Sequence, residues 1–396
     1  MDLMKTLLVY MMLVVGSATE TAPAVTPPPA QPSAQATGIN AVSAALPTLP
    51  GRGRTTPQEE AILEVSPECR QYLEVQLPAR LDTLTPTQRN IIFSDLASQG
   101  AYEIGDFLAR GAESVLYQGH AHDCAFCVKC IRNWKDKWLG DARTRGEQGK
   151  LQSVSYATKL RHLTNEYKVG RMLAENDASR QRAVRIFSLR RRTRFGLELG
   201  WDLLMERING IDLSNQNLLS ALSTADKVRI CLQICQAIGM LHQRHLVHLD
   251  IKPSNFMLDR TGRVRLIDFG ISVPEGYRSR AIAGTAGYFS PEQICRGPLN
   301  VATDIFALGV TFSILFGGHT LAQSAEEALN RQFRLEAAEA LEKNSMPAVT
   351  DVPDLVNYKP LADVIRSCTI YRPDLRIPSC IALANRLRTA AANILG

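Results

Sequence analysis

Four polar side chains stand at fixed offsets in one short stretch of the chain. Asp250, Lys252 and Asn255 lie within HLVHLDIKPSNFML, and Asp268 begins Asp-Phe-Gly directly after VRLI. Apolar residues flank both groups, which places each polar set at a loop beside short strands. A carboxylate at 250 can orient a hydroxyl nucleophile, and a lysine two residues on can neutralise transferring charge. An amide at 255 and a carboxylate at 268 offer hard oxygen ligands to Mg²⁺. Together these groups suit phosphoryl transfer, in which positioning and charge stabilisation dominate. Singly, each Asp or Asn reads as a turn former; the joint spacing is what selects the chemistry.

These motifs resemble the eukaryotic-type Ser/Thr protein kinase family over roughly residues 100–391. The resemblance implies an α+β, two-lobed protein kinase fold. Residues 100–208 would form an N-lobe of a small antiparallel sheet plus one helix, and residues 209–391 a mainly helical C-lobe. It implies ATP and Mg²⁺ as cofactors and proteins as substrates. Asp250 would be the catalytic base, Lys252 would contact the γ-phosphate, and Asn255 and Asp268 would hold the metal. Lys129, in CVK, would meet the α- and β-phosphates while paired with a helix glutamate. Glu166 is the expected partner and Glu175 the competitor. Met205 would border the adenine, the backbone of Glu206 and Ile208 would bind its edge, and Asp212 would face the ribose. Thr285 would hydrogen-bond near the base and lysine, Glu292 would pair with Arg376, and Asp304 would anchor the catalytic loop.

Two departures stand out. The glycine-rich loop reads Ala109-Arg110-Gly111-Ala112-Glu113-Ser114-Val115-Leu116, so only Gly111 survives. Glycines permit positive φ and close approach of backbone N–H groups to phosphates, and Glu113 would add negative charge beside them. Leu249 replaces the family arginine that often grips a phosphorylated activation loop, and leucine has no donors. Activity independent of activation-loop phosphorylation is therefore expected. The degenerate loop also leaves an alternative, a pseudokinase acting as a binding or scaffolding module. A narrower resemblance, from this loop and the layout of the N-terminus, is to secreted apicomplexan kinases related to rhoptry kinases.

The elements that must position these residues can be read outward from the motifs. YEIGDFLARG, SVLYQGHAHD and CAFCVKCI predict three antiparallel strands, residues 156–174 a helix, and AVRIFSLRRR and GLELGWDLLMERI the remaining strands. Ser223 and Asp226 predict a capping box for a long helix ending near His242. A charged insertion spans residues 132–153. Before the sheet, residues 58–99 predict a helical extension packed on the first lobe, or alternatively a small helical docking module. Its helices would begin at the Thr-Pro signals of TPQEEAILEV and LTPTQRNIIFSDLA. Residues 19–57 are rich in Pro, Ala, Ser and Thr and read as a disordered linker.

Residues 1–18 have the order of a secretory signal: Lys5, an apolar run over 6–15, then Gly16-Ser17-Ala18. The expected location is the secretory pathway, ending outside the cell, in a secretory organelle or in a parasite-vacuole-like space. The 396 residues carry a formal net charge of +6, with a basic run at Arg190, Arg191, Arg192 and Arg194. That run reads as a solvated strand connection or as a docking site for an acidic partner or anionic membrane surface. No aromatic platform accompanies it, so no nucleic acid is expected. Of nine cysteines, Cys124, Cys127 and Cys130 alternate faces if extended, which is unsuited to one metal ion.

Overall fold

The computed structural model describes residues 63–77, 85–111, 113–133, 135, 154–175, 181–279, 281–294, 296–320 and 353–395. The expected leader, the linker, TPQEEAI and most of the charged insertion lie outside the described residues. The described residues belong to one compact unit. The expected α+β, two-lobed arrangement is present, and no helix among the described residues is long and apolar enough to cross a membrane.

Among the described residues, two helices precede the sheet, α1 (Pro67–Gln76) and α2 (Pro86–Ala97). Each begins with proline just inside a hydroxyl cap, Ser66 and Thr85, where the missing proline N–H costs nothing. The sheet follows as β1 (Glu103–Arg110), β2 (Val115–Ala121) and β3 (Cys124–Arg132). After it come helix α3 (Tyr156–Leu173) and strands β4 (Ile186–Arg194) and β5 (Leu197–Met205). All neighbours are antiparallel, in the order β1-β2-β3-β5-β4. Alternation along β3 sends Phe126, Val128 and Cys130 to one face, with Ile92, Phe93 and Leu96 of α2. Cys127 and Ile131 go to the other, with Leu163, Val169 and Leu173 of α3. Burying each large apolar side chain of this kind contributes about 1.5–3 kcal/mol. Gly170 lets α3 come close to β4, since a Cβ there would stand 2.3 Å from Ile186 Cδ1.

The lower half begins with β6 (Gly210–Asp212), α4 (Gln216–Ala221) and the long α5 (Thr224–His242). Short strands β7 (Leu246–Val247), β8 (Phe256–Asp259), β9 (Val264–Leu266) and β10 (Val273–Pro274) frame the loops holding the polar motifs. Helices α6 (Val301–Leu315), α7 (Lys359–Cys368) and α8 (Cys380–Ala390) complete the core. The eight described cysteines are buried thiols.

The first described helix of the extension starts at Pro67, where Ser66 supplies the cap; most of TPQEEAILEV, where a helix is expected, lies outside the described residues. The extension departs from expectation in not sitting on the first lobe alone. α2 covers the sheet, where Phe93 stacks on Phe187 at 4.2 Å. α1 docks on the lower half: Ser66 donates from its N–H and hydroxyl to Asp226 at 2.7 and 2.8 Å. The buried Gln233 amide also donates to the carbonyls of Leu63 and Gly262 at 2.9 and 3.1 Å. The capping box expected at Ser223 is consequently only half formed. Ser223 accepts from the Asp226 N–H, while the Asp226 carboxylate turns to the Ser223 and Ser66 hydroxyls.

Candidate active site

The catalytic-loop geometry is built on one buried carboxylate. Asp304, in the first turn of α6, accepts from the backbone N–H groups of His248 at 2.7 Å and Leu249 at 3.0 Å, and contacts His242 Nε2 at 2.9 Å. This holds the chain as it leaves β7. His248 then receives the Asp250 N–H on Nδ1 at 3.2 Å, which leaves the proton on Nε2 to donate to the Asp268 carbonyl at 2.6 Å. One imidazole thus ties the loop bearing Asp250 to the strand end bearing Asp268.

Around Asp250 the donors converge. Thr285 Oγ1 donates to its Oδ1 at 2.6 Å, and Lys252 Nζ reaches its Oδ2 at 2.8 Å and Thr285 Oγ1 at 2.7 Å. Asn255 Nδ2 donates to the Asp250 carbonyl at 2.7 Å and to its Oδ2 at 3.1 Å. These acceptors fix the amide orientation, so Asn255 Oδ1 lies at the opposite end of that group. Asn255 also accepts the Ile267 N–H on its own carbonyl at 3.1 Å, setting it beside the approach to Asp268. Tyr288 lies near enough that burial, then the charge of Asp250, push its phenol up to about 12.

Above this loop, Lys129 on β3 bonds Glu166 of α3 at 2.7 Å and Asp268 at 3.4 Å. Glu166 is therefore the partner, while Glu175 lies exposed beyond the end of α3. Burial works against the Lys129 ammonium, but Asp268 and Glu166 outweigh it and hold its pKa above the ordinary lysine range. Burial pushes the Glu166 carboxyl up to about 7 against the pull of Lys129, and its Oε1 is buried without a hydrogen-bond partner. For Asp268 the balance is reversed. Burial opposes ionisation, yet Lys129 and the Gly270 N–H, at 2.9 Å, hold its pKa below the usual carboxylate range.

The nucleotide-edge candidates lie at the end of β5. Met205 is buried, and Ile208 packs against the core. The Glu206 carboxylate bonds Arg265 at 2.7 Å, and its N–H donates to the Arg185 carbonyl. The Glu206 carbonyl and the Ile208 N–H make no backbone hydrogen bond among the described residues. Asp212 Oδ1 accepts from the Ser214 N–H and hydroxyl, so that oxygen is occupied locally.

At the degenerate loop, Gly111 does not adopt positive φ, and its N–H donates to the Ser114 carbonyl at 2.9 Å. The Glu113 carboxylate, expected beside the phosphates, instead bonds His162 of α3 at 2.8 Å. Sequence reading also missed Asn165. Its Nδ2 donates to the carbonyls of Phe269, Gly270 and Ser272 at 3.2, 3.1 and 2.8 Å, restraining the segment after Asp268. The signal was its place beside Glu166, three residues beyond His162, which puts all three on one helix face.

The basic run is largely absorbed by the fold. Arg190 donates to the Leu96 and Gly100 carbonyls at the end of α2 and lies over the Tyr102 ring. Arg192 approaches the buried Asp202, which also receives Arg132 and the Tyr102 hydroxyl. Arg191 pairs with Glu198 at 2.8 Å, and Arg194 lies over Phe195. The run therefore lies along β4 rather than in a strand connection, with Arg190 and Arg192 bonded within the fold. The three structural pairings hold: Glu292 grips Arg376 at 2.7 and 2.9 Å, and Asp304 and Thr285 sit as described.

The family model described as Protein kinase domain matches residues 102–386. Over 251 residues the chain is 28% identical to a calcium/calmodulin-dependent serine/threonine-protein kinase of Malus domestica, covering 56% of this chain and 59% of that one. Over 226 residues it is 29% identical to calcium/calmodulin-dependent protein kinase type 1 of Caenorhabditis elegans, covering 55% and 56%. It is 29% identical over 177 residues to serine/threonine-protein kinase shk2 of Schizosaccharomyces pombe, covering 43% and 28%. The chain thus spans less than two-thirds of the length of each of these relatives.

Proposed function

This chain belongs to the protein kinase domain family, and we propose that it transfers the γ-phosphoryl group of ATP, with Mg²⁺, to Ser or Thr of protein substrates. The observation that carries this reading is that the Asp250–Lys252–Asn255 group and the Lys129–Glu166–Asp268 group are tied to each other through His248 and the Ile267 N–H. A binding scaffold has no chemical need for all of them.

The donor set fits the cofactors. Asn255 Oδ1 and the low-pKa carboxylate of Asp268 are hard oxygen ligands suited to Mg²⁺. Lys129 is held ionised and suits phosphate oxygens, and the Glu206 carbonyl and Ile208 N–H suit the edge of a purine. When bound, Mg-ATP supplies the phosphoryl group and part of the counter-charge. The remaining chemistry belongs to the chain. Asp250, fixed by Thr285, Lys252 and Asn255, orients the acceptor hydroxyl and receives its proton. Lys252 stabilises charge on the transferring group, and Thr285 beside it supports a Ser/Thr acceptor.

Export through the secretory pathway is supported by the order of residues 5–18 alone, and kinship with rhoptry kinases by that segment and the degenerate loop. Any contact with an acidic partner or anionic membrane falls to Arg191 and Arg194, because Arg190 and Arg192 serve the fold.

The test is to incubate the purified chain with γ-labelled ATP, Mg²⁺ and a generic protein acceptor and identify the labelled amino acid. Labelled Ser or Thr is expected, with about a hundredth as much or less from Asp250→Ala. Equal labelling by both proteins would favour the scaffold; labelled Tyr would overturn the acceptor class.

A further inference from the structure

A loop that covers a phosphate tail without its glycines needs another means of being held in place. Here the loop tip carries Glu113, a residue whose charge would repel phosphates if it pointed at them. Its carboxylate is instead turned to α3, where His162 Nδ1 lies 2.8 Å from Oε2. Both side chains are only partly exposed, 31% for Glu113 and 22% for His162. Inside the loop, the Gly111 N–H closes on the Ser114 carbonyl, so the tip forms a small self-bonded unit attached to the helix by this pair.

His162 is well placed for that task. It lies four residues before Glu166 and three before Asn165, so the three project from the same face of α3. Glu166 holds Lys129, and Asn165 holds the backbone that follows Asp268. His162 also borders that backbone, since a Cβ on Gly270 would lie 3.6 Å from His162 Cβ. One helix face therefore contacts the phosphate-facing lysine, the segment after the metal-binding aspartate and the loop above them.

We propose that His162 is a positioning residue for the nucleotide: by capturing Glu113 it holds the degenerate loop in place and keeps that carboxylate away from the phosphates. The proposal rests on the reading of the cleft as a nucleotide site. It replaces loop amides that wrap phosphates with a side-chain tether to α3.

The test is titration of the full chain with a fluorescent ATP analogue in the presence of Mg²⁺, with thermal melting recorded for each protein. His162→Glu, which sets two carboxylates face to face, is expected to weaken binding at least fivefold. The charge-exchanged double variant Glu113→His/His162→Glu is expected to return to within twofold of the wild type. Should His162→Glu melt early, His162→Ala serves in its place, with an expected loss of at least threefold. Unchanged binding in the folded single variant overturns the proposal, as does failure of the exchange to restore it. Absence of Mg²⁺-dependent binding by the wild type overturns the nucleotide reading itself, a separate result.

Discussion

Glu166 and Lys129 set the pH behaviour of the site. Burial pushes the Glu166 carboxyl up to about 7, far above the ordinary 4.5. Below that pH it is protonated and Lys129 loses a counter-ion, so kcat/KM should fall as pH drops through about 7. Stability should move the other way. A folded-state pKa above the unfolded value means the native state holds its proton longer. This contribution is full below about 4.5 and is lost as pH rises to about 7. In Glu166→Gln both effects should disappear: chemical denaturation at several pH values should show a flatter stability profile, and rate profiles should lose the acid limb, at a lower overall rate. A second prediction concerns Asp250. Replacing it with Ala should lower kcat by about 10²–10⁴, with a smaller change in KM for ATP, because Asp250 orients the acceptor rather than the nucleotide. Steady-state kinetics with both substrates varied would reveal the reverse pattern if the assignment were wrong.

Among the elements, the activation segment shows what replaces a phosphate-gripping arginine. Leu249 is buried at φ +69° among Val247, Leu299, Ile271 and Val273. A leucine in that backbone region costs on the order of 1–3 kcal/mol, and the apolar cluster offsets the strain. β10 pairs with β7, and the Gln293 amide bonds the carbonyls of Leu249 and Ala283, so the segment is held without a phosphate. Phosphatase treatment should therefore leave activity within about twofold, whereas Leu249→Ala should destabilise the chain by about 2–5 kcal/mol, measured by denaturant unfolding. Activity abolished by dephosphorylation would contradict this account.

The fold class and the residues that meet in the cleft were legible because their signals are local or family-wide: alternation in CAFCVKCI, helical spacing around Glu166, and the offsets of Asp250, Lys252 and Asn255. The misses were long-range. Nothing near Asp226 announces that Ser66, 160 residues away, will claim its carboxylate. Nothing near Arg190 announces the carbonyls at the end of α2. Glu113 looked harmful because its partner lies on another element.

At the scale of the whole molecule, the extension fastens to both halves behind the cleft. α2 covers the sheet, while Leu63 and Val65 ahead of α1 and Cys69 and Leu73 within it feed into the lower core. Removing residues 1–99 should expose these surfaces and leave the Gln233 amide short of the Leu63 carbonyl. A lower melting temperature and aggregation are expected in calorimetry and light scattering; a truncated chain as stable as the full one would show the extension to be dispensable. All of this architecture serves one convergence, that of Asp250, Asn255, Asp268 and Lys129. Its most direct test is the rate of phosphotransfer from labelled ATP with Mg²⁺ to a protein acceptor, wild type beside Asp268→Ala. The account predicts transfer by the wild type and a loss on the order of 10³ in the variant. Equal rates, or none from either protein, would contradict it.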